Sequence, residues 1–213
     1  EFGTGDHPTS FTEDYATWII ECNATISSNF AITGSNTNVI LRGTSLANGN
    51  VSPTLTVASG KTEFISFKIE SVNSKPAYFA VSEDAEFDVY QILNLGKNDC
   101  SIVNNGTMNV FAEDFEVNDA LVENHGTMNF SNCDLLINGG ESQKDPRGRF
   151  LNYSVVNMTN SGLMVSGRYT QLYNSGTSNA IWKIDNSTSS VRRAIQFTTT
   201  EFRTNEDPDY TSP

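Results

Sequence analysis

Apolar and polar positions alternate along much of this chain in short runs. Phe64-Ile65-Ser66-Phe67-Lys68-Ile69 and Glu86-Phe87-Asp88-Val89-Tyr90-Gln91-Ile92 alternate as half-buried strands do. Thr54-Leu55-Thr56-Val57 and Asn38-Val39-Ile40-Leu41 predict shorter strands. Ala180-Ile181-Trp182-Lys183-Ile184 and Ala194-Ile195-Gln196-Phe197-Thr198-Thr199-Thr200 predict two more near the C-terminus. Turns between them come from Gly34-Ser35-Asn36, Asn48-Gly49-Asn50 and Ser59-Gly60-Lys61, residues that accept tight backbone geometry.

Between 100 and 180 the pattern repeats. Val103-Asn104-Asn105-Gly106-Thr107-Met108-Asn109-Val110 returns as Val122-Glu123-Asn124-His125-Gly126-Thr127-Met128-Asn129-Phe130, with the Gly-Thr-Met-Asn cores 20 residues apart. The register extends further, setting Asp114 over Asp134, Phe115 over Leu135 and Val117 over Ile137. Weaker returns follow at Asn160-Ser161-Gly162 and Asn174-Ser175-Gly176. An Asn-x-Gly turn feeding a short alternating strand at this period predicts a stacked solenoid. The fold class is therefore all-β: a single-stranded, right-handed parallel β-helix with irregular N-terminal coils or a cap. The hand follows from strand twist and crossover preference. Gly106, Gly126, Gly162 and Gly176 are expected to take positive-φ corners. A β-sandwich with Asn-Gly hairpins is the competing architecture.

Residues 1–4 read as two translated restriction sites, a cloning scar. The β-helix spans 5–200, and the polar 201–213 reads as a tail or the start of a linker. The charged segment 141–149, with Pro146 and Gly148, reads as an excursion from the stack.

Composition sharpens the picture. Asn, Ser and Thr number 24, 23 and 22 of 213 residues, which favours turns and strand surfaces over helices. A net charge of −12 opposes nucleic-acid binding, which needs a positive field. No apolar run approaches the roughly 20 residues of a spanning helix, so membrane insertion is not expected. The polar composition fits a secreted protein. Seven Asn-x-Ser/Thr acceptors follow: Asn23, Asn50, Asn105, Asn129, Asn152, Asn157 and Asn186. Cys22, Cys100 and Cys133 allow one disulfide, the pair unassigned, with three buried thiols as the alternative.

Catalytic chemistry is thinly represented. No nucleotide-binding glycine loop, Cys-x-x-Cys or His-x-x-x-His occurs, and the histidines are His7 and His125, the latter in a turn. No cofactor is expected. The stacked Asp114 and Asp134, with Glu113, Glu116 and Asp119 nearby, are candidates for a calcium site or an acid pair. A solvated acidic edge is the simpler reading. The 100–140 stretch has no Lys or Arg to serve as a lyase base.

Asn104-Asn105-Gly106-Thr107-Met108 and Thr159-Asn160-Ser161-Gly162-Leu163-Met164-Val165, each after an apolar strand, resemble the N-N-G-x-hydrophobic coils of yeast hyphally regulated cell-wall proteins. The resemblance covers about 80 residues; similar Asn-Gly coils also occur in bacterial haemagglutinins and phage tailspikes. It implies the N-terminal β-helix of an adhesin-like fungal wall glycoprotein, with a Ser/Thr-rich stalk and GPI anchor beyond this chain. The expected function is non-enzymatic attachment to host-cell, abiotic or glycan surfaces by a monomeric domain. Tyr169, Tyr173 and Trp182 are candidate anchors. The alternatives are a carbohydrate-active β-helix enzyme and a phage or bacterial fibre fragment.

Overall fold

The computed structural model describes residues 9–46, 49–96, 99–139, 148–167, 170–175, 179–185 and 195–197. The first partial coil holds β1 (Ser10–Phe11) and β2 (Thr17–Ile20). The next holds β3 (Ala24–Ile26), β4 (Phe30–Ile32) and β5 (Asn38–Leu46), followed by β6 (Gly49–Val51), which folds back antiparallel on β5. Two coils are then built from one short and one long strand each: β7 (Thr54–Val57) with β8 (Gly60–Ser71), and β9 (Tyr78–Val81) with β10 (Ala85–Leu95). Later coils have three short strands. These are β11 (Ser101–Asn104), β12 (Thr107–Val110) and β13 (Asp114–Asn118), then β14 (Leu121–Asn124), β15 (Thr127–Ser131) and β16 (Asp134–Asn138). Beyond 140–147, which lie outside the described residues, come β17 (Gly148–Asn152), β18 (Val155–Thr159) and β19 (Gly162–Ser166), and then β20 (Thr170–Asn174), β21 (Ile181–Asp185) and β22 (Ile195–Phe197).

The strands stack in parallel as a β-solenoid of about seven turns, with no helix among the described residues. Three faces result. The first stacks β3, β7, β9, β11, β14, β17 and β20. The second runs through β1, β4, the leading halves of β8 and β10, then β12, β15, β18 and β21. The third runs through β2, β5, the trailing halves of β8 and β10, then β13, β16, β19 and β22. Coil-to-coil pairing in parallel register excludes the antiparallel sandwich. The predicted register of Met108 beside Met128 and Phe115 beside Leu135 is present.

Parallel sheets are normally covered on both faces and read as continuous apolar runs. Here one face of each sheet meets the core and the other meets solvent, so the strands alternate instead. Phe64, Phe67, Phe79 and Phe87 interlock edge-to-face at the centre, with centroids 4.8–5.5 Å apart. Each such ring removed from water contributes about 1.5–3 kcal/mol. In β8 the neighbours Ser66 and Phe67 are both buried, because the strand bends there to pass from the second face to the third. In β10 a register shift between Val89 and Ile92 does the same.

The corners correct the glycine expectation. Among the described glycines, positive φ belongs to Gly49, Gly60 and Gly167, not to Gly106, Gly126 or Gly162; Gly176 lies outside the described residues. Gly126 is required by close approach: a Cβ there would stand 2.1 Å from the carbonyl oxygen of Gly106. Gly106 is likewise pressed against the carbonyl of Ser82, at 2.2 Å. Positive φ falls instead on Asp119, Asn132 and Asn160, at 50–55°, where the short polar side chain tolerates the left-handed region.

The disulfide expectation is also corrected: none of the three cysteines is disulfide-bonded. Cys100 fills a corner column of small residues with Ala77, Ala120 and Gly148, between the third and first faces. Cys133 sits one coil later between β15 and β16, at a different corner, and Cys22 is exposed in the opening coils. By register Cys22 lies in the Cys100 column with Pro53 and Ala77 between them, and Cys133 is at another corner, so no two of the thiols are adjacent.

Candidate functional site

The buried asparagines have a structural role. Asn104 donates to Asn124, Asn124 to Asn152 and Asn152 to Asn174, each at 2.8 Å, forming a ladder up the corner between the first and second faces. The same amide nitrogens reach backbone carbonyls of Thr127, Val155 and Ser154. The ladder begins abruptly, because Val81 stands below Asn104 and leaves its Oδ1 buried without a partner. Asn152, 0% exposed and bonded on both sides, has no path for a glycan, so it is withdrawn as an acceptor. A second ladder on the outer second face runs from Asn157 to Asn129 to Asn109, at 2.7 Å per step. It uses the amide nitrogens of two further acceptors. Asn186 lies outside the described residues.

The outer ladder ends in a charged cluster. Asn109 donates to Asp88 at 2.7 Å, and Lys61 Nζ lies 2.7 Å from Asp88 and 3.2 Å from both Glu63 and Glu86. Asp88 is only 2% exposed, and its oxygens are met by Lys61, Asn109 and the Tyr90 hydroxyl, whose single proton is shared between Asp88 at 3.2 Å and Glu63 at 3.1 Å. The bond to Asp88 holds the Lys61 ammonium well above the usual lysine range. Burial, then the Asp88 charge, pushes the Tyr90 phenol up as well. This cluster is closed upon itself, and Lys61 and Tyr90 hold their protons through neutral pH.

Beside it is an outward aromatic step. Tyr90 and Phe111 stack at the corner between the second and third faces, with centroids 5.3 Å apart and 12° between planes. Phe111 and nearby Ile92 are each 42% exposed. The rings follow the rung spacing of about 4.8 Å, so the far face of Phe111 is turned to the next coil. Its equivalents there are the small residues Ser131 and Thr159. The result is an apolar ring wall above a hydroxyl floor, with the Asn129–Asn157 ladder alongside.

The other expected residues fall apart from this step. Asp114 and Asp134 do stack as the period implies. Asp134 Oδ1, however, accepts the Gly162 N–H at 3.0 Å, and Asp114 is exposed. Among the described residues no group of three or more His, Cys, Asp or Glu is placed to hold a metal. Trp182 points inward against Phe150 at 5.3 Å, and Tyr169 and 141–147 lie outside the described residues. Tyr173 lies half-buried on the first face against Tyr153, which stacks on His125. Tyr90 escapes a reading of the sequence because it precedes the clear period, and Phe111 because its equivalent one period on is Ser131 rather than another ring. The outward alternation of Glu86, Asp88 and Tyr90 is the signal that could have found the first ring.

The chain matches no protein-family model, no curated protein and no solved structure.

Proposed function

We propose that this chain is a non-enzymatic attachment domain of a secreted fungal cell-wall protein of the adhesin type. It holds host-cell, abiotic or glycan-bearing surfaces through its outer faces. The observation that carries this reading is the Tyr90–Phe111 step: a rigid scaffold presents a stacked ring pair to solvent beside Ile92. Large rings contribute strongly when a partner covers them. The ring wall over hydroxyl-bearing Ser131 and Thr159 suits a sugar ring, whose faces are apolar and whose edge is polar. The carboxylates around it are occupied with Lys61, Asn109 and Tyr90, which favours holding over turnover.

Beads coated with the domain, presented to plastic, host cells and immobilised glycans, test this. Phe111→Ala should weaken retention about tenfold or more on the surface that wild type prefers, a loss on the 1.4 kcal/mol scale. Equal retention by the variant would remove the aromatic step from the account. The competing reading, a carbohydrate-active enzyme, rests on the stacked Asp114 and Asp134. It requires that Asp134→Asn abolish turnover while the fold is retained.

A further inference from the structure

The corner between the first and second faces carries a column that neither the ladder nor the attachment surface uses. Asn105, His125, Tyr153 and Ser175 each follow a ladder asparagine or its equivalent. Each donates its backbone N–H to the preceding coil in the same way: Asn105 to Val81, His125 to Asn104, Tyr153 to Asn124 and Ser175 to Asn152. They therefore occupy one position in successive coils. His125 and Tyr153 stack with centroids 4.6 Å apart and planes 1° apart. This fixes the imidazole across the column axis, so its second face is turned to the coil that holds Asn105. Glu123 Oε2 lies 3.5 Å from His125 Nε2 at the rim.

Asn105 heads an Asn105-Gly106-Thr107 acceptor, is exposed in its turn, and its side-chain amide has no hydrogen-bond partner among the described residues. The other described acceptors differ. Asn152 is buried, Asn129 and Asn157 use their amide nitrogens in the outer ladder, and Asn23 and Asn50 each accept a bond through Oδ1. We infer that Asn105 carries an N-linked glycan whose first sugar packs on the open face of His125.

The donor is a lipid-pyrophosphate-linked oligosaccharide. A bond forms between Asn105 Nδ2 and the anomeric carbon, and the bond from that carbon to the pyrophosphate oxygen breaks. The electron pair leaves with the lipid pyrophosphate, and one amide proton passes to the transferase's base. The attached sugar then lies one rung from the imidazole, about 4.8 Å along the stack, with His125 and Tyr153 forming a pre-ordered floor. Glycan and protein surface are both ordered by this contact, and the fold gains stability from it.

The inference rests on the secreted reading for its natural setting only, since the test supplies the route. The chain is expressed in yeast behind a heterologous signal peptide, and occupancy at each acceptor is read by mass spectrometry after enzymatic release in heavy-oxygen water. Asn105 is expected to be occupied in most molecules and Asn152 in none. The glycosylated wild type should melt about 2–4 °C above Asn105→Gln, and that gap should close in the His125→Ala background. The same pair made in bacteria, without glycan, should melt together. An empty Asn105 in folded, secreted protein overturns the site, and an undiminished gap in His125→Ala overturns the packing. Either failure leaves surface attachment untouched, and a domain that binds no surface leaves the glycan site untouched.

Discussion

At the scale of single residues, polar groups in the interior are held as firmly as the apolar ones. Asn124 lies between Asn104 and Asn152 and also holds the Val155 carbonyl. Truncating it strands donors and acceptors on both neighbours, at about 1–3 kcal/mol for each group left unpaired. Asn124→Ala is expected to lower the unfolding free energy by about 2–4 kcal/mol in urea titration, whereas exposed Asn105→Gln should be neutral in protein made without glycan. The thiols give a second check. Burial pushes the Cys100 thiol up, so native protein should react quickly with a thiol reagent at Cys22 alone, and denatured protein at all three. A reductant should leave the melting temperature unchanged. The sequence could not separate Asn104 from Asn105: the two adjacent asparagines look alike, yet one is sealed and the other exposed. Only the direction of the corner decides, and composition carries no trace of it.

At the scale of elements, the clear 20-residue period was legible because Asn104 and Asn124 are separated by that interval and their coils are nearly identical. Elsewhere the interval becomes 28 and then 22 residues. Strands β8 and β10 hid the period further, because each covers two faces without a turn residue between them. The glycine reading failed for a related reason. A glycine can be required by a neighbouring carbonyl as well as by φ, and Gly126 over Gly106 is the first case. Gly126→Ala should therefore destabilise the stack by about 2 kcal/mol or more, measurable as a lower urea midpoint, although φ there suits alanine. The charged cluster between β8 and β10 makes a pH prediction. Lys61 and Tyr90 both have raised values in the folded state, so their contribution is complete below the ordinary 10.5 and 10.0 and is lost as pH rises beyond them. Urea midpoints attributable to this pair should be flat from about pH 6 to 9 and fall above about pH 10. Lys61→Met should make that alkaline fall shallower.

At the scale of the whole molecule, each coil contacts chiefly its neighbours, so stability accumulates coil by coil while the outer faces stay available. All-β class, parallel stacking and the central register were readable from alternation and repeat. The aromatic step was not, because Tyr90 lies in a coil without a clean period and its pairing with Phe111 depends on that coil's register. The resulting surface combines satisfied carboxylates, amide ladders and a ring pair at a corner, an arrangement suited to holding a partner in place. The most direct test of that claim assays one set of wells twice. Domain-coated beads are incubated on immobilised polysaccharides, retention is counted, and the supernatant is assayed for newly released sugar ends. Retention on at least one surface with no release above buffer is the predicted result. Release that disappears with Asp114→Asn or Asp134→Asn would contradict it and make the stacked carboxylates an active site.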